Sequence, residues 1–292
     1  MSTATTMQKK VIGTYGPGSS HWVGDGFPVR NLFPSNGLQL EVSPFLMLDY
    51  AGPQYFKPAA APRGVGEHPH RGFETVTIAY QGSVSHRDSS GNAGTIFPGD
   101  VQWMTAASGV LHEEMHEAEF TKNGGVFEMI QLWVNLPAKD KMSKPGYQAI
   151  TSDQIPVVKF ASGGHARVIA GELDGTKGPA KTFTPVNLWD VILKAGEKVE
   201  LTVPEGHNTA VVLRKGDVTV NGGRLNGEAK IAVLGREGDT ITLEAKEDSQ
   251  LVLLSGEPIN EPIASYGPFV MNTREEIMQA VTDLKNGKFG QL

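Results

Sequence analysis

The 292-residue chain reads as an all-β protein of two β domains with one short helix at its C-terminal end. Three observations carry this reading. Short apolar or alternating runs of four to eight residues recur along the chain, bounded by Gly, Pro, Asn or Asp, which is the length and punctuation of strands. The 35 Gly and 18 Pro are spread between those runs, as many tight turns require. Helical periodicity is nearly absent before the end of the chain.

In order, the predicted strands are Leu38–Val42, Phe45–Tyr50, Phe73–Tyr80, Val101–Met104 and Phe127–Val134, then Val186–Leu193, Lys198–Val203, Thr209–Leu213, Asp217–Val220, Lys230–Leu234, Asp239–Leu243 and Gln250–Leu254. Residues 136–185 are richer in Lys, Gly, Ser and Pro and poorer in continuous apolar runs. The connection is therefore placed near 137–145, dividing the chain into an N-terminal domain 1–140 and a C-terminal domain 141–292. Both halves carry a Gly-Asp turn feeding a strand, at Gly99-Asp100 and Gly238-Asp239, which hints at an internal duplication. The helix is signalled by Thr273 followed three residues later by Glu276, a capping box, and by Ile277, Ala280, Val281 and Leu284 at helical spacing. About three turns are expected.

Composition removes several function classes. Lys and Arg total 26 against 32 Asp and Glu, a net charge of −6 with both signs scattered, so direct nucleic-acid binding is not expected. There is no cysteine, which excludes disulfides, thiolate metal sites, iron–sulfur clusters and Cys nucleophiles. The first ten residues are polar and no run of about 18 apolar residues occurs, so no signal peptide or membrane segment is read. A cytoplasmic protein is the expectation.

The residues that carry chemistry are His68-Pro69-His70 and His112-Glu113-Glu114. In a strand, residues i and i+2 share a face, so His68 and His70 present two imidazoles about 7 Å apart along the backbone. The same period applies to His112 and Glu114. Two such strands facing each other in a barrel would supply four nitrogen and oxygen ligands to one metal, with positions left open for substrate or oxygen. His112 to His116 also spells H-E-x-x-H, which on a helix binds zinc with the Glu as general base. The flanking residues lack a 3.6 period, and that reading leaves His68 and His70 unexplained, so the strand reading is preferred. Phe127, Met129, Gln131 and Trp133 alternate onto one strand face and, with Trp103, could line a pocket for a flat aromatic ligand; ordinary barrel core is the plainer alternative. Arg71 could hold an anionic substrate group or pair with a carboxylate, and pairing is the expectation.

Gly66, His68-x-His70, Glu74 and Gly82 approximate the first motif of the cupins, and Ala107-x-Gly109-x-x-His112 their second, with Ala in place of the usual Pro. A narrower resemblance is to the pirin family. It is carried by HPHRGFETVT at 68–77, by the run Pro98 to Ala106, by Gly109-Val110-Leu111-His112-x-Glu114-Met115, by Gln131 to Leu136, and by Gly256-Glu257-Pro258 and Tyr266 to Thr273. It covers roughly residues 10–290.

The resemblance implies a bicupin, two antiparallel, jelly-roll-like β-barrels with a metal only in the N-terminal one. Its ligand set of three His and one Glu carries over onto His68, His70, His112 and Glu114, favouring Glu114 over Glu74, the position ligating in most cupins. Glu74, four residues after His70 and so counted onto the same strand face, is then expected beside the ligands or on the pocket floor. The C-terminal barrel, with His207 beyond the linker's His165 and no His-x-His, is expected to be metal-free. Fe(II) is the expected metal, with Cu, Mn, Co, Ni and Zn chemically admissible. The implied activity is flavonol (quercetin) 2,3-dioxygenation, with O2 and a flavonol as small-molecule partners and Glu114 as the base for the 3-hydroxyl proton. The other function class the resemblance brings is a metal- or redox-dependent regulator that binds a protein partner, a transcription factor or a metabolic enzyme.

Overall fold

Alternation of apolar side chains becomes sheet packing most directly in the second half of the chain. In the computed structural model, which describes residues 7–35 and 37–292, the strand Val186–Leu193 lies between Ser249–Gly256 and His165–Ala170, all antiparallel. Its register sets Trp189 opposite Leu253 and Val191 opposite Leu251, and the next strand, Asn208–Val220, sets Val211 and Leu213 against the same two leucines. These side chains share one face and are fully buried in a single core with Val168, Leu201, Val218 and Ile241. Each such aliphatic side chain contributes about 1.5–3 kcal/mol on burial. The sheet holding them has nine strands, with Val11–Tyr15 at one edge and Val157–Lys159 at the other; Lys198–Thr202 joins it through Thr240–Ala245.

The other unit has a seven-stranded and a four-stranded antiparallel sheet. The larger runs Gly146–Ile150, Val101–Thr105, Phe73–Gln81, Gly125–Asn135, Phe45–Phe56, Phe27–Phe33, Ser20–Val23; the smaller runs Gly64–His70, Val110–His116, Val84–Asp88, Ala93–Ile96. Phe27, Phe56, Ala79, Val84, Ile96, Phe127 and Met129 form a buried core in this barrel. Two barrels of antiparallel strands and a C-terminal helix agree with the predicted all-β architecture, and among the described residues no helix is long and apolar enough to cross a membrane.

A single cut near residue 140 does not describe the two units. One comprises residues up to Gly18, Leu32–Pro44 and Asp153–Pro258; the other comprises Ser19–Asn31, Phe45–Ser152 and Ile259–Leu292. The chain ends are thus exchanged. Val11–Tyr15 pairs with Gly223–Leu234, a partner more than 200 residues away. At the other end the backbone of Arg71 pairs with Pro268 and Val270, and the Arg71 guanidinium binds Asp283 on the helix Arg274–Lys285 at 2.9 Å. That helix carries the predicted capping box and buries Ile277, Ala280 and Asp283.

Two local expectations change. Leu38–Val42 is a turn: Leu38 and Val42 are buried while Leu40 is 71% exposed, and Val42 N–H donates to the Leu38 carbonyl at 3.1 Å. Apolar residues four apart close a helical turn, whereas a half-buried strand needs them two apart. Thr209–Leu213 and Asp217–Val220 fuse into the single strand Asn208–Val220.

Candidate metal centre

Gly64–His70 and Val110–His116 pair directly, with His112 opposite His68 and Val110 opposite His70. The His-x-His spacing places both imidazoles on the inner face of the four-stranded sheet, and His112 joins them across the ladder. The potential ligand atoms of His68, His70 and His112 lie within 4.8 Å of one another. His70 and His112 are buried and His68 is half-buried.

Val110–His116 is a strand whose residues alternate between buried and partly exposed, so the H-E-x-x-H helix reading fails. Glu113 points outward to Arg87. His116 points inward but lies in the aromatic core, with Nε2 at 2.9 Å from the Gly26 carbonyl oxygen and the ring stacked on Phe127, centroids 4.8 Å apart. A carbonyl oxygen can only accept, so the His116 nitrogen is the donor.

Glu114 also points inward and is buried. One carboxylate oxygen accepts from Gln131 Nε2 at 2.9 Å; the other accepts from Gln102 Nε2 and Thr77 Oγ1, each at 3.3 Å. Three neutral donors fix its plane and leave lone-pair capacity over. Gln131 and Trp133 lie on the same face of Gly125–Asn135, in register with Thr77 and Thr75. Trp133 stacks on Phe73 with centroids 4.2 Å apart and meets His70 edge-on at 5.3 Å. Met129 shares this face but belongs to the apolar core with Phe127.

Glu74 and Trp103 are placed elsewhere. His70 ends a strand of the smaller sheet and Phe73 begins one of the larger, so the period-2 count from His70 to Glu74 is broken by the turn at Arg71-Gly72. Gly72 has φ +92°, and a Cβ there would collide with the Val270 carbonyl oxygen. On Phe73–Gln81, Thr77 meets Glu114, so Glu74 faces the opposite side; it accepts from Thr105 Oγ1 at 2.7 Å. Gln102 likewise reaches Glu114, which turns its neighbour Trp103 to the face Glu74 occupies. Neither is on the face that meets the triad. Burial raises the Glu74 carboxyl to about 7.

Burial also lowers His70 to about 3, with His68 adding repulsion, and lowers His112 well below the usual histidine range, with His70, His68 and His86 adding to it. These imidazoles stay uncharged at neutral pH, the form that binds metals. Two further observations fit a cation. His68 Nδ1 donates its proton to the Gly66 carbonyl at 2.8 Å, leaving Nε2 as a lone-pair donor, and His112 Nε2 is buried with no hydrogen-bond partner among the described residues. Neutral imidazoles with a carboxylate and no thiolate suit a divalent first-row metal.

Sequence reasoning missed His86, Asp88, Gln102, Tyr147 and Lys141. His86 and Asp88 sit two apart, the same period that revealed His68 and His70, but in a strand with no other metal-site signature. Lys141 is buried with its ammonium donating to the carbonyls of Gly72 and Val270 and to Asn135 Oδ1, pinning the turn below His70; burial lowers it to about 8. Arg71 pairs with Asp283 as expected.

A two-barrel cupin with a histidine cluster in one barrel is the class that this fold and site define. The chain belongs to the pirin family: the family models "Pirin" and "Pirin C-terminal cupin domain" match residues 26–134 and 188–290. It is 56% identical over 282 residues to a Pseudomonas aeruginosa protein whose name carries a provisional quercetin 2,3-dioxygenase assignment, covering 96% of this chain and 98% of that one. It is 42% identical to human pirin over 257 residues, covering 85% and 83%. The crystal structure of a quercetin 2,3-dioxygenase from Acinetobacter baumannii matches with a TM-score of 0.94 at 56% identity, covering 98% of this chain and 99% of that one.

Proposed function

We propose that this protein is a metal-dependent dioxygenase that opens a flavonol such as quercetin at the 2,3 position with O2, using one Fe(II) held by His68, His70, His112 and Glu114. The observation that carries the reading is the convergence of three imidazoles, two of them buried and uncharged, on the barrel face where a pinned carboxylate also points. The names of the similar proteins from Pseudomonas aeruginosa and Acinetobacter baumannii support the flavonol as substrate class.

A bound cation would supply Lewis acidity and an electron path between flavonol and O2. The chain supplies the rest. Glu114 takes the proton of the flavonol 3-hydroxyl at a carboxylate oxygen, and Gln131 on one oxygen with Gln102 and Thr77 on the other keep the carboxylate oriented. The stacked pair Phe73 and Trp133 offers a flat wall beside His70 for an aromatic ring. Trp133 Nε1 is buried with no acceptor among the described residues, and a flavonol oxygen would provide one.

The test is to strip the protein with a chelator, reload separate samples with Fe(II), Mn, Co, Ni, Cu or Zn, and incubate each aerobically with quercetin. Loss of the visible absorbance together with release of carbon monoxide is expected with at least one cation and not in the stripped protein. A protein that binds these cations and turns over no quercetin with any of them would refute the proposal.

A further inference from the structure

Val84–Asp88 lies on the side of Val110–His116 away from the His-x-His strand, setting His86 opposite Glu114 and Asp88 opposite His112. Both are buried, and neither belongs to the triad. Asp88 Oδ1 accepts from the backbone N–H groups of Ser90 and Asn92 at 2.8 and 3.1 Å and from Asn92 Nδ2 at 3.2 Å. Its Oδ2 accepts from Asn92 Nδ2 at 3.0 Å and faces His86 Nε2 at 3.3 Å. A carboxylate so placed can only accept, so His86 carries its proton on Nε2.

The other nitrogen of His86 gives the same answer independently. Gln102 Oε1 accepts from the Tyr147 hydroxyl at 3.4 Å, which turns the Gln102 amide nitrogen toward Glu114 at 3.3 Å and His86 Nδ1 at 3.4 Å. His86 Nδ1 therefore faces a donor and is an acceptor. The ring is held in plane by stacking on Tyr147, with centroids 5.0 Å apart and 13° between planes. The same Nδ1 lies 3.5 Å from His112 Nδ1. With an acceptor there, His112 places its proton on Nδ1 and leaves Nε2 bare, and Nε2 is the nitrogen that is buried with no partner among the described residues.

We propose that Asp88 and His86 form a positioning relay that fixes the tautomer of His112, so that its Nε2 lone pair is the one presented to a metal ion. The relay rests on the metal-site reading for its purpose, but its hydrogen bonds run between protein side chains alone. Outer partners of this kind, when removed, typically cost about 10- to 100-fold in metal affinity. Asp88→Asn can donate an amide proton to His86 Nε2, which would reverse His86 and push the His112 proton onto Nε2. His86→Phe keeps a ring against Tyr147 and removes the acceptor. His86→Gln offers a carboxamide oxygen in its place.

The experiment uses metal-free full-length protein with 15N-labelled histidine, whose long-range proton–nitrogen correlations tell protonated from bare ring nitrogens, followed by titration with Co(II) read from its visible bands. The expected wild-type state is His86 protonated at Nε2 and His112 at Nδ1. Asp88→Asn and His86→Phe are expected to lose the His112 state and raise the Co(II) Kd about 10- to 100-fold, with His86→Gln restoring both. His112 protonated at Nε2 in the wild type would overturn the relay, and so would unchanged tautomer and Kd in Asp88→Asn and His86→Phe. A purely packing role for His86 predicts that Phe is tolerated better than Gln, the reverse order. If the wild type takes up no Co(II), the metal reading fails, and the relay is judged on the tautomers, which need no metal.

Discussion

His70→Asn should make the metal-free protein less sensitive to acid, and the size of the effect is set by burial. In the folded chain His70 is held down to about 3 by desolvation and by His68, against 6.5 for an exposed imidazole. Between these values the unfolded chain binds a proton that the folded chain refuses, so stability falls as pH drops from about 6.5 toward about 3 and levels off below. A gap of about 3.5 pH units at about 1.4 kcal/mol each gives an upper figure of about 5 kcal/mol. At pH 4.5 the penalty is about 3 kcal/mol. The assay is urea unfolding of chelator-stripped protein at pH 7 and pH 4.5, wild type and His70→Asn side by side. The substitution has its own packing cost, but that cost is the same at both pH values and cancels in the difference. Carboxylate titrations are common to both proteins and cancel too. The wild type should lose about 3 kcal/mol more than the variant between the two pH values. Equal losses would refute the claim that a buried, uncharged His70 lines the site.

Two further perturbations separate the site from its frame. Glu74→Gln should leave Co(II) affinity unchanged, because Glu74 lies on the face turned away from Glu114; loss of metal in this variant alone would return the ligand role to Glu74. The raised carboxyl of Glu74 is destabilising as pH climbs from 4.5 through about 7, where the unfolded chain ionises first, so the variant should gain roughly 3 kcal/mol at pH 7 in urea unfolding, and a loss of stability would contradict this. Asp283→Ala strips the partner from Arg71, whose guanidinium is buried, donates to the Ser108 carbonyl at 2.7 Å and lies over the Phe289 ring. A buried charge left unpaired costs about 3–5 kcal/mol, so a fall in Tm of roughly 6–20 °C is expected in thermal unfolding, and a shift under about 2 °C would show the pair to be dispensable.

Much of the scaffold is legible in the residues alone. Trp189, Val191 and Leu193 alternate in sequence and share one core, because a strand's side-chain period of two is set by the backbone itself. Thr273 and Glu276 announce the capping box for the same local reason. His68 and His70 were bound to share a face whatever sheet they joined. The resemblance singles out Glu114; the structure turns Glu114 inward and Glu113 outward, while the cluster of potential ligand atoms among the described residues comprises His68, His70 and His112.

Local order in the residues accounts for most core strands, the capped C-terminal helix, the shared face of His68 and His70 and the family, whereas short strands such as Ser20–Val23 and Ala93–Ile96 and the helix Ala118–Asn123 carry no such signal. Where the chain goes after a turn, and which strand lies across a ladder, follow from contacts between residues far apart in the chain. The turn at Gly72 transfers the chain from one sheet to the other, so the face of Glu74 could not be counted from His70. His86 and Asp88 reach His112 through cross-strand register, which local sequence does not encode. The exchange of the chain ends depends on pairing between residues more than 200 positions apart. A period fixes relations within one strand; which strands meet is settled by the packing of the whole chain.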